Sequence, residues 1–278
     1  MFYEKIDLYD YFSIPREGRT GGYLTVYARR KYTEVPEKKR PAMLVVPGGG
    51  YYMVSEREGE PIALHFVMAG YAAFELLYTI QTPFPVPFLE AAMAMIFIRE
   101  NAEKYGVDPT HVGAVGFSAG GHLTGTLATL FDDDSAKKAF GKRAEMIRPD
   151  AVILSYPVLS TGEFGHDQTA EIISGGDKKL RKKLSIETQV TKNSSPAFIW
   201  HTATDDAVPV ENSLMMASAY RKNGVPFELH IFERGRHGLS DIGPEICEPE
   251  IGPDVSRGGV WVELALSFLA MHGFEVKA

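Results

Sequence analysis

The 278 residues include 29 basic and 36 acidic side chains, giving a mild, dispersed net charge of −7, with 45% apolar residues. That length suits one domain with a single α/β core, and the acidic balance argues against nucleic acid or another polyanion as partner. The one cysteine, Cys247, excludes an internal disulfide and a cysteine-clustered zinc site, and reads as a structural or incidental thiol.

The chain opens on MFYEKIDLYDY, where charges interrupt the apolar residues, and no run in it approaches membrane-spanning length. The reading is a cytoplasmic protein that does not engage a membrane. GGYLTVYARR (21 to 30) alternates in the half-buried manner of an antiparallel edge strand. AMLVV (42 to 46) is the first buried strand, and it runs into Pro47, Gly48, Gly49, Gly50 and Tyr51. Bare backbone in that place can cradle a phosphate, hold an oxyanion or turn a corner. A dinucleotide fingerprint would need a third glycine where Met53 stands, and a P-loop would need Gly-Lys-Ser/Thr, so spacing disfavours the phosphate. Glu56, Glu58 and Glu60 then read as residues at a helix start.

YAAFELLY (71 to 78) is a strand, and 87 to 104 puts Leu89, Ala92, Met93 and Ile96 on one helical face. HVGAVGF (111 to 117) is a strand and 120 to 130 a helix, after which the acids at 132 to 134 read as solvated. AVILSYP (151 to 157) and PAFIWH (196 to 201) bracket an insertion at about 158 to 195 whose short helices would lie near the site, its KKLRKK run being a solvated face. A helix at 211 to 223, the strand FELHIF (227 to 232) and a helix at 258 to 272 complete the series. Internal repeats and low-complexity linkers are absent from the sequence. Strands alternating with helices imply right-handed βαβ crossovers and a mostly parallel sheet flanked by helices. Chemistry in such folds sits at the carboxyl ends of the strands.

VGAVGFSAGGHL (112 to 123) is the most specific stretch, a strand running through Gly116-Phe-Ser118-Ala-Gly120 into a helix. A serine there stands on a sharp turn, and small residues two positions to either side let strand and helix approach each other. The first helical amides also point at any developing negative charge. A serine hydroxyl needs a histidine to take its proton and a carboxylate to fix that histidine's tautomer, in the order Ser, Asp or Glu, His. FIWHTATDDAVPVENS (198 to 213) offers Asp205 or Asp206 after a strand, and FERGRHGLSD (232 to 241) offers His237 in the loop after the last one. His201 precedes the acids and is the nearest rival to His237. His122, on the helix after the serine, suits packing or steadying the turn. His65, His111, His166, His230 and His272 read as surface or satisfied core residues.

Together these motifs resemble the α/β-hydrolase superfamily, and more narrowly its hormone-sensitive-lipase-like and acetyl-xylan-esterase-like carboxylesterases, from about residue 40 to the end. The resemblance implies an α/β-hydrolase fold formed as one domain over 1 to 278. Its usual acid-to-proline spacing selects Asp205 over Asp206. By matched position it implies an oxyanion hole built from the amides of Gly49, Gly50 and Ala119. Where hormone-sensitive-lipase relatives carry HGGG, this chain has Pro47 before the glycines, and PGGGY with SEREGEPIALHF looks like the xylan and sugar esterase branch. Fewer than fifty residues precede the glycines, so an N-terminal cap domain is not expected. The implied activity is hydrolysis of short acyl esters of a bulky polar alcohol such as an acetylated sugar or xylo-oligosaccharide, the alternatives being a general short-chain carboxylesterase, an amidase or peptidase on the same scaffold, or a hydrolase-like binding protein that has lost its chemistry. Ser118, His237 and Asp205 would carry it without metal or organic cofactor, in a chain that could form a homo-oligomer.

Overall fold

The computed structural model describes residues 1–243, 246 and 257–277, so Cys247 lies outside the described residues. In chain order the elements are β1 (Phe2–Asp7), α1 (Leu8–Phe12), β2 (Tyr23–Ala28), β3 (Arg40–Val46), α2 (Glu60–Met68), β4 (Ala72–Leu77), α3 (Val86–Glu100), α4 (Ala102–Tyr105) and β5 (Val107–Phe117). They continue with α5 (Ala119–Thr129), α6 (Asp134–Phe140), β6 (Val152–Ser155), α7 (Asp167–Ser174), α8 (Lys178–Lys183), β7 (Ala197–Thr202), α9 (Glu211–Asn223), β8 (Phe227–Phe232) and α10 (Trp261–Met271). The strands form one eight-stranded sheet in the order β1-β2-β4-β3-β5-β6-β7-β8. From β4 to β8 all neighbours are parallel, while β2 pairs antiparallel with both β1 and β4. This is the α/β-hydrolase fold.

Parallel strands covered on both faces read as continuous apolar runs because successive side chains enter different cores. In β3, Ala42, Leu44 and Val46 join one cluster with Met93 and Ile96 of α3, Leu123 and Leu127 of α5 and Met216 and Tyr220 of α9. Met43 and Val45 face the other way, into a cluster with Ile62 and Phe66 of α2 and Trp261 and Phe268 of α10. Burying such side chains contributes roughly 1.5–3 kcal/mol each, which makes these two layers the main source of stability.

The structure departs from the sequence reading in sheet position and in element bounds, β5 starting at Val107 where the strand was expected from 111. The stretch 21 to 30, expected at the edge, forms β2 one place in from it, and β1 takes the edge. The alternating half-exposed pattern of β1, with Glu4 and Lys5, suits a strand whose outer side faces water. The helix expected over 87 to 104 breaks at Asn101, whose amide Nδ2 donates to the Phe97 carbonyl at 2.9 Å; α4 then ends on Gly106 at φ 66°. Within 158 to 195, α7 and α8 are short and each begins on a capping side chain, His166 and Asp177. The KKLRKK run of α8 is partly engaged, with Arg181 bonding Asp167 and the Thr161 carbonyl and Lys183 pairing with Asp133. Asp133 also caps α6 through the Ser135 amide. Among the described residues no helix is long and apolar enough to cross a membrane.

Candidate active site

Ser118 sits between β5 and α5 with φ 52° and ψ −117°, a conformation that non-glycine residues avoid unless their surroundings enforce it. Here the enforcement comes from both sides of the turn. The Ser118 amide donates to the Ser155 carbonyl of β6 at 3.0 Å, and its carbonyl accepts from Val158 at 3.0 Å and from His122 at 3.2 Å. Glycine is required because the layers nearly touch. A Cβ on Gly116 would fall 2.2 Å from the Gly120 carbonyl oxygen, and one on Gly120 would fall 2.1 Å from that of Val46. The G-x-S-x-G spacing is therefore a steric consequence of packing α5 onto the ends of β3 and β5.

The loops after β7 and β8 bring the partners to this turn. Ser118 Oγ lies 2.7 Å from His237 Nε2, and His237 Nδ1 lies 2.8 Å from Asp205 Oδ2. The Asp205 side chain is 1% exposed. Its Oδ1 accepts from the amides of Ala207 at 2.9 Å and Val208 at 2.8 Å, and its Oδ2 also lies 3.2 Å from His201 Nε2. Burial pushes this carboxyl up, but the hydrogen bonds from His201, His237 and the Val208 amide outweigh it and hold Asp205 well below the usual carboxylate range. Asp206 instead accepts the backbone N–H of His237 at 3.0 Å, so it braces the loop without touching the imidazole. His201 is fully buried, its Nδ1 2.8 Å from Ser213 Oγ, and acts as a support beneath Asp205.

The glycine loop faces the serine. Gly48 cannot bear a side chain, since a Cβ would lie 2.9 Å from that of Ser118 and 2.8 Å from Glu58 Oε2. Gly49 and Gly50 adopt φ 114° and 66°, in the region that favours glycine. The Gly48 N–H is already taken, donating to Glu58 at 2.8 Å. Gly49, Gly50, Ser118 and His237 line one cleft of about 330 Å³, and Ala119 follows the serine as the first residue of α5. Pro47 contributes its carbonyl, which accepts from Tyr78 Oη at 2.9 Å, and Tyr51 holds the far end of the loop through His122 Nδ1 at 3.0 Å. His122 is buried, also lies 2.9 Å from the Leu184 carbonyl, and burial pushes its imidazole down to about 4, so it stays neutral.

Three contributors escaped sequence reasoning. Glu58, expected among the residues of a helix start, does lie in a one-turn 3₁₀ segment, but it is 3% exposed and reaches under the glycines. Tyr156, at the end of β6, packs its ring edge-on against His237 at 5.1 Å. His166, read as surface or core, caps α7 and lines the cleft with Gln168, Arg57 and Tyr52; burial and nearby His237 lower its basicity. None of these carries a local signature: Glu58 and Tyr156 are bonded to each other across 98 residues, and His166, bonded locally to the Thr169 amide, reaches the cleft only through the fold.

The family described as BD-FAE matches residues 31–220. Endo-1,4-beta-xylanase B of Butyrivibrio fibrisolvens is 42% identical over 234 residues, covering 81% of this chain and 36% of that protein. The acetylxylan esterase of Xylanibacter ruminicola is 31% identical over 207 residues, covering 71% of this chain and 41% of its own length. The chain thus spans less than half of either relative. The crystal structure of an acetyl ester-xyloside bifunctional hydrolase from Caldicellulosiruptor lactoaceticus is similar at a TM-score of 0.83 and 34% identity, covering 98% of this chain and 97% of that one.

Proposed function

The chain belongs to the BD-FAE family, within the α/β-hydrolase esterases, and from that membership we propose that it is a serine carboxylesterase removing short acyl groups, acetyl foremost, from carbohydrates such as xylo-oligosaccharides. The observation that carries the reading is the continuous line from Ser118 Oγ through His237 to a buried Asp205, at 2.7 and 2.8 Å, opening on the cleft beside the glycine loop. The substrate class is supported by the names of its relatives, and by the polar groups of His166, Gln168, Arg57 and Tyr52, which line the cleft alongside Met53, Ala207 and Val208 and offer partners to a hydroxylated alcohol. The cytoplasmic setting belongs to the same proposal.

His237 Nε2 takes the Ser118 proton as Oγ attacks the ester carbonyl carbon, and Asp205 stabilises the imidazolium that results. The carbonyl oxygen becomes an oxyanion facing the amides of Gly49, Gly50 and Ala119, where each donor stabilises the transition state by about 3 kcal/mol. The bond to the sugar oxygen then breaks, and His237 gives that oxygen its proton. Water attacks the acyl-enzyme by the same route, losing its proton to His237, and the acid leaves as Ser118 is reprotonated. Acetate release from acetylated xylo-oligosaccharides and from p-nitrophenyl acetate tests the reading, together with fluorophosphonate labelling. Ser118→Ala should lose turnover and label while staying folded, and turnover at a near-parental rate in that variant would refute the assignment.

A further inference from the structure

Glu58 stands outside the Ser118–His237–Asp205 line, yet it is a buried carboxylate at the wall of the same cleft. Its two oxygens serve two different loops. Oε2 accepts the Gly48 amide at 2.8 Å, fixing the backbone immediately before Gly49 and Gly50. Oε1 accepts the Tyr156 hydroxyl at 2.7 Å. That hydroxyl in turn accepts the Ser240 amide at 2.8 Å, three residues past His237, and the same tyrosine ring meets the His237 imidazole edge-on. Ser240 is tied back as well, with Oγ donating to the Arg57 carbonyl at 2.5 Å and its carbonyl accepting from Trp261 Nε1 at 3.0 Å.

The backbone along this chain is strained where it meets the site. Tyr156 and Ser240 have φ 35° and 54°, alongside Ser118 at 52°. Non-glycine residues held there cost on the order of 1 kcal/mol or more each, and persist only where surrounding contacts over-determine them. Burial raises the Glu58 carboxyl, opposed by the Tyr156 and Gly48 hydrogen bonds and by the nearby His237 and Arg57. A buried carboxylate with every oxygen engaged is expensive to place, and a merely structural need at a loop could be met by an amide or by water.

We propose that Glu58 is a positioning residue for acyl transfer: through Gly48 on one side and Tyr156–Ser240 on the other, it holds the oxyanion loop and the His237 loop in mutual register. The inference rests on the esterase reading above. The two loops belong to distant parts of the chain; Ser240 Oγ joins them at the Arg57 carbonyl, and the Glu58 carboxylate joins them at a second point, bonding the Gly48 amide directly and the His237 loop through the Tyr156 hydroxyl. A register error of a fraction of an ångström between them lowers turnover without altering substrate affinity, because the misplaced groups act on the transition state.

The test is a double-mutant cycle of Glu58→Gln and Tyr156→Phe on p-nitrophenyl acetate, with melting temperatures recorded and Ser118→Ala as reference. Glu58→Gln keeps the shape and Tyr156→Phe keeps the ring. The expected result is a 10–100-fold fall in kcat for each single variant, KM within threefold of the parent, and a double variant no slower than the slower single one, since both remove the same link. Values of kcat within threefold of the parent, a loss confined to KM, multiplicative losses in the double variant, or losses that disappear at a temperature where all variants are fully folded would overturn the proposal. Full activity in Ser118→Ala would instead overturn the esterase reading on which it rests.

Discussion

Replacing Asp205 by asparagine separates two adjacent carboxylates that spacing alone leaves close. In the structure Asp205 Oδ1 accepts two backbone amides, so the asparagine carbonyl takes that side and its NH₂ turns toward His237. An N–H facing Nδ1 at 2.8 Å forces the imidazole proton onto Nε2, which then presents a donor to Ser118 Oγ where a base is needed. Loss of the correct tautomer and of the charge beside the imidazolium costs about 10⁴-fold in kcat, or about 5.5 kcal/mol at 1.36 per decade. Asp206→Asn removes charge from one exposed hydrogen bond to the His237 backbone, so its effect should stay near 1 kcal/mol, less than tenfold. Steady-state kcat on p-nitrophenyl acetate measures both. An Asp205→Asn enzyme within tenfold of the parent, or an Asp206→Asn enzyme equally impaired, would refute the reasoning. The sign of the pH dependence follows too. Asp205 is depressed, so the stability it contributes is present above the ordinary carboxylate value and is lost only as pH falls through its depressed one. A decline in activity in weakly acidic buffer therefore has its origin elsewhere.

Three more outcomes are expected. Because burial takes His122 from 6.5 to about 4, the unfolded chain binds its proton first as pH falls, and stability should drop by about 3 kcal/mol between those values; urea midpoints across that range should show the slope, and His122→Gln should flatten it. Gly120→Ala places a Cβ 2.1 Å from the Val46 carbonyl oxygen and 2.4 Å from that of Pro47, backbone atoms that cannot swing aside, so a loss of about 3 kcal/mol or more is expected despite alanine's better helix propensity. Calorimetry should show a melting point lower by about 6–12 °C, and an unchanged value would mean that α5 can move off β3. A p-nitrophenyl ester series should peak at acetate or butyrate, and a maximum at long acyl chains would contradict the short-acyl reading.

Much of this was legible because it is local or periodic. The strand-helix rhythm follows from side chains alternating between two cores, and Gly116, Ser118 and Gly120 are close in sequence because they are one steric event. Asp205 and His237 were legible as polar loop residues after strands, and the sheet order sets their loops beside the serine. What tertiary structure alone decided are the contacts made across the sheet. Glu58 looks like either neighbouring glutamate until the fold buries it under Gly48, and Tyr156 looks like a strand-end aromatic until it meets Glu58 and His237. The same holds at the edge, where β2 had the right alternation and only pairing could show that β1 covers it. Short-range sterics and burial periodicity are written residue by residue, whereas a hydrogen bond between residues 98 apart exists only once the chain has closed on itself.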